Sequence, residues 1–255
     1  MAKKGIICLL ILINTGFSQN VSSQPVFTIT SVYDNYEYNP DLKTSWGLAC
    51  VIETIHDKIL FDTGGNSKIS LSNMNKMGID PDSIDKIIIS HNHSDHLGGL
   101  AGFLEENSDV IVFIPASFSR SVKNMIHEKG AQYVEVSDNR KISENVYSTG
   151  EIYGPPIEQS LVLDSPQGLV VITGCAHPGI VKIVQKAQKI MGKDVFLVMG
   201  GFHHPPASVV SKFRELGVQK VAPSHCTGDP IREKFVRKYK DYFIKFGAGR
   251  IIEIR

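Results

Sequence analysis

The chain is poor in cysteine, with four among 255 residues, and one of these, Cys8, lies in an apolar N-terminal run. The other three, Cys50, Cys175 and Cys226, can close at most one disulfide. A small crosslinked scaffold is therefore excluded, and a hydrophobic core has to supply the stability. An excess of one charge is missing too. The 27 Lys and Arg residues against 26 Asp and Glu leave a formal net charge of +1, which gives no reason to expect nucleic acid as a partner. Arg232, Lys234, Arg237, Lys238, Lys240 and Lys245 gather near the C-terminus and read as the solvated face of one helix. No repeat, low-complexity linker or break in composition divides the chain, so residues 24–255 are expected to form a single domain. Long apolar runs are lacking as well: Gly5 to Gly16 is too short for a comfortable membrane span. Preceded by Met1-Ala2-Lys3-Lys4 and followed by polar residues ending in Val21-Ser22-Ser23, it has the layout of a secretory signal peptide. Residues 1–23 are expected to be removed, leaving no stable membrane span and an exported protein, periplasmic or secreted.

What remains alternates strand-like and helical patterns. Strands are expected at Val26–Val32, Gly47–Glu53, Lys58–Phe61, Lys86–Ser90 and Val110–Ile114, with helices at Ser67–Met77, Leu97–Glu106 and Ser117–Glu128. Two further strands follow. A hairpin then runs from Ser160 to Asp164, turns at Ser165-Pro166-Gln167-Gly168 and returns over Leu169–Thr173. Helices at Gly179–Met191 and Ala207–Leu216, strands at Val195–Met199 and Lys220–Ala222, a helix capped by Asp229 with Pro230 behind it, and a strand at Arg250–Ile254 complete the chain. Hairpins followed by strand–helix alternation in both halves predict two mixed sheets packed face to face, with helices outside.

Histidine is scarce, nine in all, yet three fall in His91-Asn92-His93-Ser94-Asp95-His96. A buried strand would deliver this run to its C-terminal end, with His91 and His93, two apart, pointing the same way. Imidazole nitrogen and carboxylate oxygen suit borderline divalent metals such as zinc. A helix start capped by Ser94 or Asp95 would explain one residue of the four. Four other strands end in polar, glycine-rich turns: Asp62-Thr63-Gly64-Gly65, Gly174-Cys175-Ala176-His177-Pro178-Gly179, Gly200-Gly201-Phe202-His203-His204 and Ser224-His225-Cys226-Thr227-Gly228. Together these stretches hold seven of the nine histidines; His56 and His127 fall outside and read as exposed polar residues.

The pattern His-x-His-x-Asp-His with Gly98-Gly99 behind it, preceded by Phe61-Asp62-Thr63-Gly64, resembles the metallo-β-lactamase superfamily. The three later turns are similar to those of one branch, the dihydropterin–ribofuranosylaminobenzene phosphate synthase-like metal-dependent hydrolases. The resemblance runs from Asp62 to Gly228 and implies an α/β fold, a four-layer αβ/βα sandwich with a metal site at its sheet edges. It implies one or two divalent ions, zinc first and iron or manganese as alternatives. His91 and His93 would belong to one site and Asp95 and His96 to another, with His177 and His225 as further ligands. Asp62 would orient the histidine loop. Cys175 stands where many two-metal members carry a bridging aspartate, and it reads equally as a thiolate ligand or as a small buried residue. Cys226 reads as packing.

The expected activity is that of a metal-dependent hydrolase using a metal-activated water on a small-molecule ester, lactone, amide or phosphoester. Asp95 would serve as ligand and proton acceptor and His203 as the acid toward the leaving group. A pterin-related synthase or transferase on the same scaffold, and a metal-binding protein with weak or no catalysis, are the alternatives.

Overall fold

The computed structural model describes Met1 and residues 26–255; the expected signal peptide lies outside the described residues apart from Met1. The first half contains β1 (Phe27–Asp34), β2 (Leu48–Glu53), β3 (Lys58–Phe61), α1 (Ser67–Lys76), β4 (Lys86–Ile88), α2 (Ser94–Leu97), α3 (Leu100–Glu106), β5 (Ile111–Pro115), α4 (Arg120–Glu128) and β6 (Gln132–Val136). The second contains β7 (Arg140–Ser143), β8 (Val146–Ser148), β9 (Leu161–Ser165), β10 (Gly168–Thr173), α5 (Ile180–Met191), β11 (Val195–Gly201), α6 (Val209–Glu215), β12 (Lys220–Ser224), α7 (Asp229–Tyr239) and β13 (Ile251–Ile254).

Two sheets form, in the orders β13-β1-β2-β3-β4-β5-β6 and β12-β11-β10-β9-β8-β7. The strands joined by short turns pair antiparallel, and those joined through helices pair parallel: β3 to β6 in one sheet and β10 to β12 in the other. Alternation along the strands sorts the apolar side chains. Cys50 and Ile52 of β2, Leu161 and Leu163 of β9, and Val170 and Ile172 of β10 meet between the sheets. Val51, Leu60 and Ile87 face α1 and α3 on one outer side, while Val162, Val171 and Val198 face α5 and α6 on the other. Each fully buried Ile or Leu contributes about 1.5–3 kcal/mol of transfer free energy, so both faces of each sheet are stabilised. This is the four-layer αβ/βα sandwich the pattern implied. Among the described residues, no helix is long and apolar enough to cross a membrane.

The differences from the sequence reading are local. The predicted helix Leu97–Glu106 starts later, as α3 at Leu100 behind the short α2, because the Gly99 N–H donates to the Gly64 carbonyl at 2.9 Å and the chain passes so close that a Cβ on Gly99 would lie 2.3 Å from the Thr63 carbonyl oxygen. Neither Ser94 nor Asp95 caps α2; His93 holds that position and makes no side-chain capping bond. Asp229 is the first residue of α7, not its cap, and its carboxylate accepts from the Tyr36 hydroxyl at 2.8 Å. Three strands, not two, form between α4 and β9, since residues 140–148 fold back as a tight hairpin.

Candidate metal centre

Parallel strands place their C-terminal ends along one edge of each sheet, where ligand loops of open α/β sheets gather. Asp62 follows β3, the histidine run follows β4, Cys175 and His177 follow β10, His203 follows β11, and His225 follows β12. Among the described residues, seven non-glycine residues have positive φ, and five of them lie in these turns: Asp62, Ala176, His203, His204 and His225. A β-carbon in the left-handed region costs energy and persists where the surroundings fix it, which is common at functional sites.

These turns bring the candidate donors into two adjoining groups. Atoms of His91, His93 and His177 form one group and those of Asp95, His96, Cys175 and His225 another, each within 4.8 Å of one another. Cys175 also groups with His177 and His203. His203 lies at the exposed mouth, its ring centroid 4.2 Å from that of His177. His56 and His127 lie elsewhere and are exposed.

Four imidazoles are held in the same manner, each anchored through Nδ1 by an oxygen of the protein. His96 Nδ1 donates to Asp62 Oδ2 at 2.7 Å, and His225 Nδ1 donates to Asn35 Oδ1 at 3.0 Å. His177 Nδ1 donates to Glu158 Oε2 at 3.1 Å, and His91 Nδ1 donates to the Ser90 hydroxyl at 2.9 Å. The Ser90 hydroxyl passes the interaction on to Asp62 Oδ2 at 2.8 Å, so one buried carboxylate secures His91 and His96 together. Such bonds fix the tautomer and turn each Nε2 lone pair the other way.

A cation fits the space those lone pairs face. His91 Nε2 is buried and has no hydrogen-bond partner. His96 Nε2 lies 3.1 Å from His225 Nε2 and 3.2 Å from Cys175 Sγ, and Asp95 Oδ2 lies 3.2 Å from His225 Nε2. Two lone pairs facing each other across 3.1 Å repel unless something positive lies beside both.

The electrostatics agree. Burial pushes His91 and His96 down, each to about 3, so both imidazoles are neutral and free to donate a lone pair. Burial works upward on Asp95, but its close approach to the imidazoles of His225 and His96 holds its carboxyl below the usual range. Burial lifts Asp62 to about 7. The Cys226 thiol and burial push the Cys175 thiol far up, so only a cation at the site would favour its thiolate. Cys226 itself is buried packing, its Sγ 3.6 Å from the Cys175 carbonyl oxygen.

The sequence reading missed Ser90, Asn35 and Glu158 as anchors. A polar triplet Glu158-Gln159-Ser160 entering a buried strand was the one local sign, since such residues are buried only when bonded.

Residues 47–218 match the sequence model of the metallo-β-lactamase superfamily. The 7,8-dihydropterin-6-methyl-4-(β-D-ribofuranosyl)-aminobenzene-5′-phosphate synthase of Methanocaldococcus jannaschii is 30% identical over 297 aligned positions, covering 95% of this chain and 99% of that protein. The crystal structure of a metal-dependent hydrolase of the β-lactamase superfamily superposes with a TM-score of 0.77 at 26% identity, covering 89% of this chain and 99% of the other. A diphosphatase of the PhnP family shares the fold with a TM-score of 0.62 at 14% identity, over 90% and 98% of the two chains.

Proposed function

The chain belongs to the metallo-β-lactamase superfamily, and from that premise we propose that it is a metal-dependent hydrolase acting on a small-molecule ester, lactone, amide or phosphoester. The observation that carries this reading is the convergence of the Nε2 atoms of His96 and His225, 3.1 Å apart, beside the orphaned Nε2 of His91. His91, His93 and His177 would hold one ion; Asp95, His96 and His225, with the Cys175 thiolate, would hold a second. That mixture of nitrogen, oxygen and sulfur favours zinc over iron or manganese. Bound there, the ions supply Lewis acidity to a substrate oxygen and bring a water's pKa toward neutrality.

The protein's own groups do the rest. Asp95, half-buried in the group with His96, Cys175 and His225, would accept a hydrogen bond from the attacking water and then its proton. Partial burial shifts the His203 imidazole below its usual value, and the ring, 4.2 Å from that of His177 at the exposed mouth, would give a proton to the leaving group. The strained turns and the four Nδ1 anchors keep these atoms in place without reorganisation during the reaction. Alanine at His91 or His93 should abolish metal uptake and turnover together, read by elemental analysis and an ester and phosphoester panel. Retained turnover in a variant that holds no metal would sink the proposal.

The similarity to the archaeal synthase along 95% of the chain favours a second reading, a pterin-related synthase or transferase. Mass spectrometric detection of a pterin–ribofuranosylaminobenzene conjugate after incubation with its two halves would select it. Export is proposed on the layout of residues 1–23 alone, and N-terminal sequencing of the native protein should begin near Gln24.

A further inference from the structure

Glu158 is fully buried, yet among the described residues no lysine or arginine meets its carboxylate. Its partners are the backbone N–H groups of Cys175 at 3.0 Å, Ala176 at 2.8 Å and His177 at 2.9 Å, and His177 Nδ1 at 3.1 Å. Burial works against this charge, but the His177 imidazole and the backbone N–H groups outweigh it and hold the carboxyl below the usual range. The turn they belong to carries both Cys175 and His177, and its middle residue, Ala176, has φ 64°. The neighbouring Gln159 grips the other half of the site. Its backbone N–H donates to the Ser90 carbonyl at 2.9 Å, and its side-chain amide donates to the Ile89 carbonyl at 2.9 Å. One dipeptide thus binds the end of β4, which presents His91, and the end of β10, which presents His177. Those strands belong to different sheets.

We propose that Glu158 is the positioning residue of the three-histidine group: its carboxylate fixes His177 as the Nδ1–H tautomer and sets the 174–178 turn at ligating distance from His91 and His93. The inference rests on the metal-site reading above and goes beyond it by naming what prepares His177 before any ion arrives. A carboxylate behind the imidazole also makes it a stronger donor.

The decisive variant is Glu158→Gln, equal in shape. Its amide oxygen has to stay at Oε1, where two backbone donors point, which puts the NH2 group against His177. Nδ1 then becomes the acceptor, the proton moves to Nε2, and the ligating lone pair is lost. Nitrogen-15 NMR of histidine-labelled, metal-free protein should show His177 unprotonated at Nε2 in the wild type and protonated there in Glu158→Gln. Zinc affinity, from competition with a chromophoric chelator, should fall about 10–100-fold at the three-histidine group. In a His177→Ala background the same change should have no further effect, because Glu158 acts through His177. An unaltered tautomer in folded Glu158→Gln, or an equal loss of affinity in both backgrounds, overturns the proposal. Should Glu158→Gln fail to fold, Glu158→Asp keeps the carboxylate and should keep the Nδ1–H tautomer; a proton at Nε2 there overturns it as well. Failure of the wild type to take up zinc would sink the hydrolase reading and leave the tautomer measurement to judge Glu158.

Discussion

Gly174 gives the most exacting test of how the two sheets share the site. An alanine Cβ there would lie 2.1 Å from Ser90 Oγ, 2.8 Å from Ser90 Cβ and 3.0 Å from Asp62 Oδ2. Gly174 does not lie in the left-handed region, so Gly174→Ala meets only a packing obstacle. Ser90 cannot yield freely, because its hydroxyl joins His91 Nδ1 to Asp62. Displacing it breaks one hydrogen bond to a charged group, worth about 1.5–3 kcal/mol, and one between neutral groups, worth about 0.5–1.5 kcal/mol. Overpacking adds about 1–3 kcal/mol. The total of roughly 3–7 kcal/mol is a large share of a stability of about 5–15 kcal/mol. Urea unfolding of the metal-free variant should show this loss with the m-value unchanged. Removing Ser90's side chain separates the two causes. Ser90→Gly alone should cost about 2–4 kcal/mol for the lost bonds. Adding Gly174→Ala to it should cost only about 1 kcal/mol more, because the clash has gone while the Asp62 contact stays tight. A single Gly174→Ala variant within 1 kcal/mol of the wild type, or a double variant showing the full sum, would refute the account.

Other outcomes follow from the same geometry. In the metal-free protein, His91 and His96 stay neutral down to about 3, so the stability they contribute is present above about 6.5 and lost as pH falls toward 3. Burial lifts Asp34 to about 6 and Asp62 to about 7, which works the opposite way over pH 6 to 4. Denaturation midpoints should therefore stay nearly flat from pH 6 to 4 and fall steeply below it, where Glu158 joins the loss; a steady fall from pH 6.5 contradicts this. Trp46 is the only tryptophan, and its ring centroid lies 4.7 Å from that of His225, so zinc titration should change its emission in the wild type but not in His225→Ala. An unresponsive wild type that still takes up zinc would place the metal elsewhere. Cobalt-loaded protein should show a sulfur-to-metal charge-transfer band that Cys175→Ser removes; its absence in the wild type would leave Cys175 as packing.

The sequence made the ligands readable and left most of their supports hidden, for a physical reason. Each ligand sits where an apolar strand stops and a polar, glycine-rich turn begins, a local contrast that four to seven consecutive residues display. The two-sheet architecture was readable from the order of elements, since hairpins followed by strand–helix alternation recur in both halves. The anchors carry no such contrast. Asn35 lies 190 positions from His225 and Glu158 lies 19 from His177, and each acts through hydrogen bonds that only the folded chain creates. Asp62 is the exception, because its place after β3 belongs to a recurring motif. Gly99 shows the same limit from the other side. Nothing in Leu97-Gly98-Gly99-Leu100 announces that the Gly99 N–H pairs with the Gly64 carbonyl at 2.9 Å, yet that bond separates α3 from α2, which carries His96. What a chain displays locally is which atoms can bind. Which nitrogen of each imidazole is free to do so is decided by residues far away in sequence, so the tautomers of His96, His177 and His225 measure how completely the fold has built the site.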